Sequence, residues 1–203
     1  MNLIRLGESK IDSTLLFEGG FSAYKKKAIE DFDPYNTGSD DCGTIIKLIE
    51  KNYRTIFVPE AKFFSTFPVT WRGKMDIKIR RANQLVRVFS KYIALLLGKR
   101  IKNSKRVISQ NLLVFLFSPI MFTLLLITTI PLLFIFPYPL AISLFAVFLI
   151  PKVRTYLFEA IQNYLILLLA IFSVALGKKI IVWKKPEDRS LLTEDMLRRR
   201  KLI

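Results

Sequence analysis

Apolar positions sort the second half of this chain before any motif is considered. Residues 107–151 hold no charged side chain. A membrane span needs about 20 apolar residues, so this stretch is long enough for two tilted or tightly turned helices. Pro131, or Pro137 with Pro139, marks the expected turn of a transmembrane hairpin. Residues 156–177 form a second apolar stretch whose only charge is Glu159. Glu159, Gln162 and Asn163 near its start leave about 13 strongly apolar residues, a length that suits an interfacial or partner-buried helix as well as a span. If all three segments crossed, the basic tail would end on the opposite side from the basic residues 99–106, against the positive-inside rule. The expectation is a hairpin plus a third apolar helix of open depth.

Upstream the period shortens to that of an amphipathic helix. Met75, Ile79, Ala82, Val86, Phe89, Ile93 and Leu96 follow one another at alternating steps of four and three, which draws one apolar stripe along about six turns. Arg80, Arg81, Gln84, Arg87 and Lys91 fall largely off that stripe. Such a helix lies comfortably in a headgroup plane, and it can equally pack on its own domain. The first 71 residues read as short alternating elements. Thr14-Leu15-Leu16-Phe17 is an apolar run, residues 21–24 continue as a strand, and residues 25–31 suit a short helix. Asp33-Pro34-Tyr35-Asn36-Thr37-Gly38 is turn chemistry. Ser39 or Asp40 then caps a helix running to about Lys51, and Thr55-Ile56-Phe57-Val58 is a β-branched and aromatic strand closed by Pro59. The pattern is α/β.

Charge adds a direction to this picture. The 203 residues carry a formal net charge of +16, but residues 1–71 hold 9 basic and 10 acidic side chains. Residues 72–106 hold 12 basic and 1 acidic, and residues 178–201 hold 9 and 4. Positive charge flanking apolar spans predicts a multi-pass protein of the cell membrane with its soluble part in the cytoplasm. It also predicts membrane lipids as partners, anionic headgroups above all, and argues against nucleic acid because the charge is juxtamembrane. With Cys42 the only cysteine and no histidine, an internal disulfide, a Cys/His zinc site and any histidine-based triad are excluded. Residues 1–10 have no apolar h-region of a secretory signal.

The chemistry-bearing candidates are few. Asp40 and Asp41 are adjacent carboxylates at a helix start; such a pair raises one member's pKa, which suits a general base, while a plain N-cap explains them too. Gly19 and Gly20 allow close backbone approach to a ligand or simply a turn. Gln84 and Arg87 suit an acceptor or diphosphate contact, or a headgroup-facing helix surface. Trp183 suits an interfacial anchor.

Set in order, these segments resemble family-2 glycosyltransferases. Phe17-Glu18-Gly19-Gly20-Phe21-Ser22-Ala23-Tyr24-Lys25-Lys26-Lys27-Ala28 looks like the family's glycine-containing segment. Ser39-Asp40-Asp41, a helix, Tyr53-Arg54-Thr55-Ile56-Phe57 and Val58-Pro59-Glu60-Ala61 follow in the family's order. Gln84-Leu85-Val86-Arg87-Val88 resembles the Gln-x-x-Arg-Trp motif of its membrane members, with Val88 where tryptophan would stand. The ending Val182-Trp183-Lys184-Lys185-Pro186-Glu187-Asp188-Arg189 is similar to their tails.

The resemblance implies an inverting sugar transfer with Asp41 as base and Asp40 beside it. It implies an α/β fold, the C-terminal half of a GT-A-like domain over residues 1–71, then a basic interfacial helix and linker (72–106), a hairpin (107–151), the third apolar helix (152–177) and a basic cytoplasmic tail (178–203). No Asp-x-Asp precedes Glu18, so the donor-binding half is expected on a second chain. With it would come the divalent metal, Mg or Mn, none being held by this chain alone. Implied partners are a nucleotide sugar and a glycan or polyprenyl-linked acceptor, in polysaccharide or glycolipid biosynthesis. The missing tryptophan leans toward single-sugar transfer, and the chain alone is expected to be inactive. A non-catalytic basic anchor that binds anionic lipid or recruits a partner is the alternative; a transporter subunit is weaker, since the hairpin carries no intramembrane charge.

Overall fold

A computed structural model of the chain describes residues 2–16, 21–29, 40–61, 63, 68–139, 142 and 149–180. About 73% of these residues are helical, with no strand or sheet among them. Helix α1 spans Asn2–Ile11, α2 Asp40–Glu50, and α3 Trp71–Leu97. Helix α4 spans Lys105–Leu112, α5 Ser118–Ile135 and α6 Pro151–Ala175.

The α/β, GT-A-like domain expected of residues 1–71 is therefore corrected: the described part of this region is built on helices. The apolar run at 55–58 forms no strand: apart from the turn in which the Ala61 N–H donates to the Val58 carbonyl, its described backbone partner is Thr14, whose N–H donates to the Thr55 carbonyl at 3.0 Å. Two of its N–H donors are taken by side chains. The Thr55 N–H meets Ser13 Oγ at 3.4 Å and the Phe57 N–H meets Ser9 Oγ at 2.7 Å. Serines around the end of α1 thus occupy the edge where a neighbouring strand would pair, and one bonded pair makes no sheet. The helix expected at 25–31 is a single 3-10 turn, Lys26–Ala28, with Ile29 already extended.

Two expectations hold in outline and change in detail. The helix placed at 40–51 is α2, and its Ile45, Ile46 and Ile49 are buried. The long amphipathic helix is α3, opened by Thr70, whose hydroxyl accepts the Gly73 N–H at 3.2 Å. Its buried face turns along its length. Ala82 and Val86 pack against Ile166 and Ala170 of α6, whereas Val88, Phe89, Tyr92 and Leu95 pack with α2, Leu15, Ile101, Val107 and Ile108. Ile79 and Ile93 of the expected stripe remain 42% and 39% exposed, because neither partner covers that line. α3 is the shared wall of two clusters: the first buries large side chains such as Leu15, Ile45, Phe89 and Tyr92 completely, at about 1.5–3 kcal/mol apiece, and the second is smaller, built on Ala82, Val86, Ile166 and Ala170.

From Lys105 to Ile135 the chain is one continuous helical rod. A π-helical segment, Leu113–Phe117, joins α4 to α5. Pro119, which lacks an N–H to continue the ladder, follows directly, and the Leu113 carbonyl accepts both the Ser118 backbone N–H and Ser118 Oγ, the latter at 2.9 Å. Pro131 lies inside α5, so the turn expected there is not made; the helix breaks at Phe136. Leu116 packs on the cluster of Ala82, Val86, Ile166 and Ala170, and Phe122 lies against Tyr164 with ring centroids 4.9 Å apart. Rising numbers on the rod meet falling numbers on α6, so the two run antiparallel. Two helices, Lys105–Thr129 and Pro151–Ala175, are long and apolar enough to cross a membrane. Only 6% and 11% of their apolar windows are buried within the protein. Helices of a soluble core would be covered; these turn their side chains outward, as association with lipid requires.

Candidate functional site

Helix α2 begins at Asp40, so both candidate carboxylates sit in its first turn, where orphan N–H groups and the helix dipole favour negative charge. Their side chains lie outside the described residues, as do Gly19, Gly20 and the tail with Trp183. The next residue, Cys42, is half-buried on the cluster that also takes Leu85, Phe89 and Tyr92 of α3. The start of α2 therefore rests near the middle of α3, the part that carries Gln84 and Arg87. Gln84 is half-buried, and Arg87 is only 9% exposed. Burial lowers the Arg87 pKa, since removing water disfavours the charged form. Sequence spacing had put Arg87 on a solvated flank; the packing of α3 on both sides closes that flank.

Segments 21–28 and 53–61, both part of the resemblance, converge on one cleft of about 590 Å³. Its walls are largely apolar and aromatic, with Phe21, Tyr24, Tyr53, Phe57 and Phe63 among them, and Leu48 of α2 at the side. Arg5, Lys25 and Arg54 bring positive charge, and no Asp or Glu is among its described lining residues. That volume suits a small organic ligand, and the composition suits one with a flat or apolar body and an anionic group. Gln84 and Arg87 are not part of this lining. Among the described residues no three His, Cys, Asp or Glu side chains gather as a metal site.

No family model, curated protein or solved structure matches the chain.

The cleft is wired to the long apolar rod through side chains that spacing alone did not single out. Arg54 Nε donates to the Asp12 carbonyl at 2.7 Å, and its terminal nitrogen donates to the Ser9 carbonyl. Thr55 Oγ1 donates to the Thr14 carbonyl at 2.6 Å. One turn apart on α1 and its end, Glu8 and Asp12 then reach the rod. Glu8 accepts from Thr14 Oγ1 at 2.9 Å and from Asn111 Nδ2 at 2.7 Å. The Asp12 carboxylate accepts from the Ser104 N–H and from Ser104 Oγ, the latter at 2.9 Å. Ser104 has a left-handed backbone (φ 64°) and its hydroxyl does not cap α4; the carboxylate from α1 brings negative charge to that helix start instead. A signal existed in the i, i+4 spacing of Glu8 and Asp12, but their target lies more than ninety residues away.

Proposed function

We propose that these residues are the membrane-anchored, acceptor-side part of a sugar transferase of family-2 type, working with donor-binding residues that lie outside them. The observation that carries this reading is the cleft: two segments of the resemblance, separate in sequence, line one cavity with aromatic walls and cationic groups. That chemistry fits a nucleotide or a phosphate-bearing acceptor. The reading rests on motif order and cleft chemistry; the α/β architecture implied by the resemblance is not carried over. Asp41 is the base in this reading, at the helix start beside α3, with Asp40 next to it. Gln84 and Arg87 contribute from α3, Arg87 chiefly by holding its charge in a partly desolvated place. Helices α5 and α6 form an antiparallel hairpin through the cell membrane, and the basic residues at its open end put the soluble part in the cytoplasm.

Membranes carrying the full chain, with and without a co-expressed donor-binding polypeptide, test this directly. Transfer of radiolabelled sugar from a nucleotide sugar to extractable lipid or glycan is expected only with both chains. Asp41→Asn is expected to lower it at least a hundredfold, the scale of a lost general base. Unchanged turnover in Asp41→Asn removes Asp41 from the chemistry, and no transfer with uridine-, guanosine- or thymidine-diphosphate sugars removes the reading.

A further inference from the structure

We propose that Lys99, Lys102, Lys105, Arg106, Lys178 and Lys179 form a collar that binds anionic phospholipid headgroups at the open end of the two apolar helices. The sequence shows only that residues 72–106 and the tail are basic; the fold divides those cations into used and unused. Arg87 is buried, Lys78 Nζ donates to Gln162 at 3.0 Å and Asn163 at 3.3 Å, and Arg100 pairs with Glu50 at 2.9 Å. The six collar cations are exposed, and none has a side-chain hydrogen bond or ion pair among the described residues. No acidic residue occurs from 97 to 158, and the two carboxylates that the fold brings to this end, Asp12 and Glu50, are taken up by Ser104 and Arg100.

Two mounts fix the backbone that carries these cations. Asp12 fixes the start of α4 through Ser104, between Lys102 and Lys105. At the other side Asn83, only 1% exposed, donates to the Lys178 carbonyl at 3.2 Å and accepts the Ile180 N–H at 3.2 Å. Because α6 runs antiparallel to the rod, Lys178 and Lys179 emerge at the same end as Lys105 and Arg106. Next to the cations in sequence Leu97 and Leu176 are exposed, and about two turns further along the rod Leu113, Val114 and Phe117 continue the exposed apolar surface. A cationic ring abutting an apolar belt matches the step from headgroup to acyl chain, which a nucleic acid lacks. Each cation near an anionic surface contributes about fivefold in affinity, screened as salt rises.

The collar goes beyond the transferase reading and is read without turnover, so either can fail alone. The full chain in neutral-detergent micelles doped with equal phosphatidylglycerol and phosphatidylcholine, measured by native mass spectrometry, is expected to retain the glycerol lipid at least tenfold in excess. The Lys99→Gln, Lys102→Gln, Lys105→Gln triple variant is expected to lose on the order of a hundredfold in that affinity at low salt. Lys10→Gln, Lys26→Gln, Lys27→Gln, which removes the same charge from exposed positions elsewhere, is expected to keep it. Equal retention of the two lipids overturns the proposal. So does an equal loss in the control triple, or displacement of phosphatidylglycerol from the collar by a polyuridylate oligomer at equal charge.

Discussion

Replacing Asp12 by alanine isolates the contact that joins the first helix to the membrane rod. In the native chain its carboxylate accepts two hydrogen bonds from Ser104, one from the backbone N–H and one from Oγ at 2.9 Å, and a third from Ser13 Oγ at 3.2 Å. Ser104 is only 4% exposed, so water does not readily replace the lost acceptor. A hydrogen bond to a charged group contributes about 1.5–3 kcal/mol, and a helix-cap deletion costs about 0.5–2 kcal/mol. Asp12 itself is half-buried, which places the net loss near the overlap, about 2 kcal/mol. For a chain of this size that is a fall in Tm of about 4–8 °C. Thermal unfolding in detergent, followed by intrinsic fluorescence, reads the shift. Asp12→Asn keeps one acceptor and is expected to lose about half as much. The double variant with Ser104→Ala is expected to show a coupling of about 1 kcal/mol, since the two side chains share one bond. The Arg54 contacts use the Asp12 backbone carbonyl and stay in place. An Asp12→Ala protein melting within 1 °C of the native one, or strictly additive losses in the double variant, refutes the cross-chain cap.

Two further outcomes follow from other buried polar groups. The Tyr92 ring is fully buried and its hydroxyl has no hydrogen-bond partner among the described residues, so Tyr92→Phe is expected to match or exceed the native Tm at pH 7. Burial, and secondarily Cys42, Glu50 and Glu8, raise the Tyr92 pKa well above its usual value. The unfolded chain releases this proton above about pH 10 while the folded one retains it. Native stability is thus full below that pH and falls as pH rises further, and the Tm gap between Tyr92→Phe and the native protein is expected to widen there; a constant gap contradicts this. Asn83→Ala releases the segment at 178–180, and limited trypsin digestion after Lys178 or Lys179, read by mass, is expected to quicken several-fold. Cleavage at the native rate means that the Asn83 amide does not hold the segment.

Legibility differed element by element for identifiable reasons. The start of α2 at Asp40 was readable because turn residues and a capping-type carboxylate precede an apolar run. The strand expected at 55–58 does not form, since strand partners are a non-local matter and here serine side chains take the Thr55 and Phe57 N–H groups. The stripe on α3 located Ala82, Val86 and Phe89 correctly. It missed Tyr92 and Leu95, because a single helical period assumes one partner and α3 has two. Of the candidate site, the spacing of 21–28 and 53–61 was visible as motif order; that they share a cleft with Arg5 was not.

What the sequence alone determined is therefore what periodicity and uninterrupted apolar length determine: the existence of α2 and α3, apolar stretches suited to lipid, and a basic margin around them. Those are local properties, set by backbone hydrogen bonding within a segment and by the hydrophobic content of its neighbours. Only the tertiary structure decided which face of α3 is buried where, that Pro131 bends no turn, and that Glu8 and Asp12 belong to the membrane rod. It also decided which cations stay free. Each of these depends on a partner dozens of residues away, and the free energy of a buried carboxylate or guanidinium is set by that partner rather than by its own position in the chain.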